Sequence, residues 1–374
     1  MKKRAVFLSI LLAAVLLLVC VSAAGGDAGD PLASLEYLRG VFLPKAETAV
    51  QEKLDASGNA VYEAAETKWR AAVAGAEAAI GSERAVVWTE ARLKQGDVLS
   101  GLTGMQVTVL AGDVRAQFSS GAVIDVTDGT ELTSGAALRT RHRYMTAEDT
   151  IALFTVSSRT AVVDYCGDYR FTLSASSPDY SAMASALKTL SLFKGNGTGY
   201  GEGFDLEVAP TRIQALVMLI RLLGEEGEAL ACTSPAPFKD ISADFWGRPY
   251  IAYAYEKGYT NGMGDGKFSP DSIASEGMYV EFVLRALGYS DTTQTDTSTA
   301  VDRAFSAGIL TAGERAALRA NEFLRADIAY LSWYALGAPL PGGFLTLHEK
   351  LETAGVFTPD AYRRAGALVT SERL

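Results

Sequence analysis

Apolar positions recur at three- and four-residue intervals from Asp30 to about Ser82, among them Tyr62, Ala65, Trp69, Ala72 and Ala76. That period places side chains on one helical face. Ser57-Gly58-Asn59 interrupts it, with Asn59 placed to cap a second helix, so the pattern predicts an antiparallel helical hairpin over residues 30–82. Trp69 lies on the apolar stripe and reads as core or interface, not as a ligand platform. Near Glu83 the period changes to two. Met105–Leu110, Ala122–Val126, Ile151–Val156 and Ala161–Tyr165 are rich in branched and aromatic residues and are separated by glycine-containing turns. Strands at this spacing predict an all-β domain over 83–176, a sandwich, jelly roll or small barrel. Helical periodicity returns at about Pro178. The fold class is therefore a multidomain α+β chain.

The charged Lys2-Lys3-Arg4, the apolar run Ala5–Val21 and the small residues Ser22-Ala23-Ala24-Gly25 have the order of a secretory signal peptide over residues 1–24. The run is shorter than the roughly 20 residues of a stable membrane span, which points to export. Once the peptide is removed, Cys166 and Cys232 remain in different predicted domains; the favoured reading is two buried free thiols, and a disulfide between them stays open.

From Phe238 to Gly288 the chain reads Phe238-Lys239-Asp240, then Trp246 opening a helical run, then Gly262-Met263-Gly264-Asp265-Gly266-Lys267-Phe268-Ser269-Pro270, then a second helical run ending Leu287-Gly288. These residues and spacings resemble one repeat of the S-layer homology (SLH) family. Two less complete copies flank it. One has the glycines Gly195 to Gly203 and the helix start Thr211-Arg212-Ile213-Gln214. The other has the helix start Leu324-Arg325-Ala326-Asp327. The units cover about 178–230, 235–289 and 296–339, and a helical tail follows over 340–374.

The resemblance implies a three-repeat α-helical SLH bundle binding pyruvylated or otherwise anionic secondary cell-wall polysaccharide. It places an arginine of a Thr-Arg-Ala-Glu motif at a helix start facing a groove. A guanidinium matches a ketal carboxylate with two parallel hydrogen bonds, and an aromatic ring covers the apolar face of a sugar. The expected ligand-binding residues are Arg212, Thr211, Gln214, Arg325, Asp327, Trp246 and Asp240. In the central unit Ser275-Glu276-Gly277-Met278 puts an acid where the arginine belongs, so at most two grooves are expected to work.

The remaining chemistry is sparse. The glycines at 195–203 fit no G-x-G-x-x-G register and follow a helix pattern rather than a strand, which excludes a dinucleotide fingerprint. Asp265-Gly266-Lys267 lacks the alternating acidic ligands of a calcium loop. His142 and His348 lie far apart, and neither a metal-ligand spacing nor a catalytic triad can be assembled. Arg141, His142, Tyr144 and Asp149 read as strand-face and turn residues, not as a carbohydrate site. A net charge of −10 over 374 residues, 48% of them hydrophobic, supports packed cores and argues against a nucleic-acid partner. No cofactor or metal is expected. The reading is an exported, non-catalytic surface protein attached to the wall and displaying a β-rich module, with self-assembly or contact with other surface proteins as further partnerships. Two alternatives stay open: a wall-localised glycan-active enzyme, and an S-layer lattice or adhesion protein.

Overall fold

The computed structural model describes residues 42–80, 87–195, 197–290 and 296–374. The expected signal peptide, the first residues of the expected hairpin and the start of the expected β-domain lie outside them. The chain divides into two compact units, Met1–Ala85 and Val86–Leu374. Among the described residues, no helix is long and apolar enough to cross a membrane.

The described part of the first unit is one helix, α1 (Leu43–Ile80), of 38 residues, about 57 Å long at 1.5 Å per residue. The expected hairpin is therefore corrected: Ser57, Gly58 and Asn59 are helical and no turn forms there. The physical reason is one of magnitude. A glycine inside a helix costs about 1 kcal/mol relative to alanine, while each added residue of an established helix gains a backbone hydrogen bond. With no proline beside it in the sequence, one glycine does not stop the helix. Trp69, expected on a packed stripe, is 70% exposed.

The second unit opens with two antiparallel sheets. One has the order β1 (Thr89–Lys94), β9 (Thr160–Cys166), β3 (Gln106–Ala111), β7 (Arg143–Ala147), β5 (Ala122–Asp125), β6 (Thr130–Glu131); the other has β10 (Tyr169–Thr172), β2 (Val98–Gly101), β8 (Ala152–Val156), β4 (Val114–Gln117). The alternation read along the sequence sets which face is covered: Val107 and Val109 on β3 and Phe154 on β8 are buried against Leu99 and Tyr144. Residues of both sheets share this core, so the arrangement is a sandwich and not a closed barrel. The four strands expected from alternation are all present. Shorter strands such as β2 and β4 carry too few alternating positions to be read in advance.

The helices follow: α2 (Tyr180–Thr189), a 3-10 turn (Gly201–Gly203), α3 (Arg212–Leu222), α4 (Glu226–Leu230), α5 (Arg248–Glu256), α6 (Glu276–Leu287), α7 (Ala300–Ser306), α8 (Ala312–Ala320), α9 (Arg325–Ala335), α10 (Leu347–Thr353) and α11 (Pro359–Gly366). Their boundaries follow local chemistry. Asp179, Thr211, Ser275, Thr311, Thr346 and Thr358 each accept a hydrogen bond from a first-turn amide. Gly288 closes α6 at φ 87°, where an L side chain is disfavoured. One apolar core joins α2 through α11. Cys166 and Cys232 are free thiols.

Candidate functional site

The helix starts carrying the expected arginines share one docking geometry. At α3 the Arg212 N–H donates to Ser272 O at 2.8 Å and the Ile213 N–H to Pro270 O at 3.1 Å. At α9 the Arg325 N–H donates to Val208 O and the Ala326 N–H to Leu206 O, both at 3.0 Å. Leu347 and His348 at α10 do the same to Ala338 O and Leu336 O, at 3.1 and 2.8 Å. In each case two otherwise unsatisfied first-turn amides bond carbonyls spaced two residues apart on another segment. These amides are thereby committed to the fold and are not free for an anion.

The side chains follow the backbone inward. A helical Cα–Cβ bond tilts toward the helix N-terminus, which is where the docked loop lies. Arg212 is 3% exposed, and its Nη2 donates to Gly262 O at 3.2 Å and to Thr260 Oγ1 at 3.5 Å. The guanidinium lies over Phe268 at 4.9 Å and Phe282 at 5.4 Å, and its Nε has no hydrogen-bond partner. Burial, reinforced by Arg285 and opposed by Asp240, lowers its pKa to about 10. Arg325 is 2% exposed; its Nε donates to Phe204 O at 2.9 Å, its Nη1 approaches Met218 Sδ at 3.7 Å, and burial lowers its pKa. The expectation that both arginines face open grooves is thus corrected: both are buried, and each donates to a loop carbonyl, Arg212 to Gly262 O and Arg325 to Phe204 O.

The other expected residues divide into two places. Thr211 and Gln214 form a reciprocal cap, with the Thr211 N–H donating to Gln214 Oε1 at 3.0 Å and the Gln214 N–H to Thr211 Oγ1 at 3.4 Å. Asp240 is exposed and accepts from the Phe268 N–H at 2.9 Å and the Ser269 N–H at 2.7 Å. Partial burial raises its pKa, but the two N–H groups outweigh this and hold it below the usual carboxylate range. Trp246 is 59% exposed, with Phe245 at 5.7 Å and Tyr250 at 6.3 Å between ring centroids. The next residue, Gly247, abuts the Arg212 helix: a Cβ there would lie 2.8 Å from the Ile213 side chain. Arg212 and Thr211 therefore lie against the segment 238–274, which itself carries Asp240 and Trp246. Arg325 and Asp327 lie elsewhere. Asp327 accepts from the Leu324 N–H at 2.7 Å and is ion-paired with Arg159 of the β-domain.

The glycine loop itself stays open. Gly262, Gly264 and Gly266 all have positive φ, and Met263, Gly264, Asp265, Gly266 and Lys267 are exposed. Two lysines absent from the expected set flank this surface. Lys239 lays its stem against Gly266, 3.3 Å from where a Cβ would lie, and the charge of Lys267 acts on Asp240. The signal for both was two cations beside a glycine loop in an acidic chain. The central helix start, with Glu276 in the arginine position, has a steric demand of its own: a Cβ at Gly277 would lie 2.4 Å from Thr297 O.

In the β-domain, Asp125, Asp128 and His142 bring ligating atoms within 4.8 Å of one another. Arg139 fills that corner with ion pairs to both carboxylates, and the Asp125 Oδ2 to His142 Nδ1 distance is 2.9 Å. Tyr144 is buried, and its hydroxyl accepts from the Arg139 N–H at 2.7 Å.

With this geometry in place, comparison with known proteins is informative. The S-layer homology domain model matches residues 237–276. The chain carries an S-layer homology domain. The match holds Trp246, Asp240, Lys239, Lys267 and the exposed glycine loop, and it ends at Glu276, the first residue of α6. The chain is also 30% identical over 142 residues to a protein described as "Cell surface protein" from Thermoanaerobacter kivui; the alignment covers 38% of this chain and 18% of that protein. The epimerase RmlC of Legionella pneumophila (23% identity, 24% of this chain, 51% of that one) and the recombinant pro-11S globulin of pumpkin (13%, 27% and 28%) align at TM-scores of 0.17 and 0.16, which support no argument.

Proposed function

We propose that this is an exported, non-catalytic protein of the bacterial surface, attached non-covalently to anionic secondary cell-wall polysaccharide through its S-layer homology region. Three SLH-like units over 178–339 form the attachment part, and α1 and the β-sandwich are the displayed parts. The observation that carries the reading is the match at 237–276 falling on the exposed loop rather than on the buried arginines.

The contact surface is Trp246, Asp240, Lys239 and Lys267. The indole offers an apolar face to a sugar ring. The two ammonium groups supply attraction for a carboxylate in a chain whose net charge is −10. Asp240 orders the loop by fixing two of its amides, and its carboxylate edge is available to sugar hydroxyls. Arg212 sets the position of this surface from below. The cell-surface relative supports the location. The test is co-sedimentation of the full chain with purified wall sacculi before and after chemical removal of the secondary polymer. Retention should need the polymer and should fall in Trp246→Ala and in Lys239→Glu/Lys267→Glu. Equal retention by stripped sacculi would refute the proposal.

A further inference from the structure

The two arginine-bearing helix starts differ in what lies over them. The loop bonded to α3 belongs to the segment 262–274, in which Gly264 and Gly266 are exposed; a Cβ at Gly264 would meet nothing within 4 Å. The segment that forms the loop bonded to α9, residues 201–208, meets the β-sandwich at Gly201, Glu202 and Glu207, while Val208 stays 53% exposed. Glu90 on β1 accepts from the Gly201 N–H at 3.1 Å, and Arg92 on the same strand ion-pairs with Glu202 at 2.8 Å. Glu202 is held from the other side by Lys188 of α2 at 2.7 Å. Val162 on β9 lies 3.1 Å from where a Cβ at Gly201 would sit, and Thr160 hydrogen-bonds the Glu207 carboxyl. Arg159, in the turn before β9, completes the cover by pairing with Asp327 and the carbonyl of Glu322; the Arg159 and Asp327 side chains are 17% and 11% exposed.

Asp327 stands where the family motif has its glutamate, so the β-domain contacts the helix start that the resemblance assigns to ligand. It also supplies, through Glu90, an acidic acceptor for the glycine loop. The loop 262–274 takes its acceptor from Asp240 instead, next to exposed Trp246 and Lys239. The Arg325 face is thus a built socket in which Glu90 accepts from the Gly201 N–H, Arg92 meets Glu202, and Arg159 meets Asp327 and the Glu322 carbonyl.

We propose that the β-sandwich is the resident occupant of the Arg325 face, so that the chain presents the wall polysaccharide with a single face, the one over Arg212. Docking there excludes polymer from the second arginine position and ties the displayed domain to the attachment region. The valency part rests on the proposed polysaccharide function; the occupancy part does not.

Hydrogen exchange on the full chain tests occupancy without any ligand. Amides of 200–208 should exchange on the order of a hundredfold more slowly than those of 262–267, and Arg92→Ala/Arg159→Ala should remove most of that difference. Arg159→Lys, which keeps a cation in the socket, should retain it and guards against misfolding of the double variant. Equal exchange of the two loops in the parent chain, or unchanged protection of 200–208 in a natively folded double variant, would overturn the proposal. Calorimetry with a pyruvate-ketal-bearing hexosamine disaccharide reads the valency. One ligand per chain, weakened about tenfold by Trp246→Ala, is expected. Two equivalent sites would defeat the single-face inference. Absence of binding would defeat the proposed function and leave occupancy to the exchange result.

Discussion

Arg212→Met separates an anchoring arginine from a ligand-binding one. The variant keeps an unbranched apolar stem between Phe268 and Phe282 and deletes the guanidinium. The loss comprises the charged hydrogen bond to Gly262 O, about 1.5–3 kcal/mol, and the contacts with the two rings, about 1–2 kcal/mol. The gain is relief of burying a cation whose desolvation the charge of Asp240 offsets only in part. A guanidinium pKa near 10 corresponds to roughly 3 kcal/mol disfavouring the charged form in the folded state. Because that pKa is depressed, the penalty is fully present at neutral pH and is relieved only as pH rises through about 10. The opposing effects nearly cancel, so the stability change should stay below about 2 kcal/mol. Arg212→Ala adds a cavity and should cost about 2–4 kcal/mol more. The assay is denaturant unfolding of the full chain paired with sacculus co-sedimentation. Retention by the methionine variant should match the parent. A tenfold loss of retention with unchanged stability would show that the guanidinium itself meets the ligand, and would refute its assignment as a loop anchor.

Asp240→Ala should destabilise by about 1–2 kcal/mol, because two loop amides lose their acceptor. The lowered Asp240 pKa means that its contribution is present above the usual carboxylate range and disappears as pH falls through the lowered value. The difference between parent and variant should therefore vanish in acid, and a difference that persists at low pH would contradict the assignment. Glu207 has a pKa raised first by burial, with Thr160 opposing, so its ionisation costs stability as pH rises through that value. Glu207→Gln should raise Tm at neutral pH but not in acid, which thermal scans across pH will show. Gly58→Ala, with nothing within 4 Å of the added methyl, should raise helix content and stabilise α1 by about 1 kcal/mol; circular dichroism of the full chain reads this, and a drop would indicate a turn at that position.

Local chemistry was legible in the sequence wherever the partners are near in the chain. The helix start at Thr211-Arg212 and the alternation in β3 and β8 depend on neighbours a few residues away, and both appear in the structure. The hairpin misreading has the same origin in reverse. Ser57-Gly58-Asn59 has turn composition, but a turn also needs a tertiary contact that rewards reversal, and composition alone does not specify one.

What the sequence by itself determined was the identity of the residues at 237–276 as an S-layer homology domain, the period that makes each element helix or strand, and the glycines that let the loop 262–266 adopt positive φ. What only the tertiary structure decided was which of the expected binding residues face solvent. Arg212 reaches a carbonyl 50 residues away and Arg325 one 121 residues away. Whether a helix-start side chain meets a ligand or the chain's own loop depends on which distant backbone docks there. That choice follows from burying one shared core and satisfying its polar groups, a property of the whole fold that no local motif encodes.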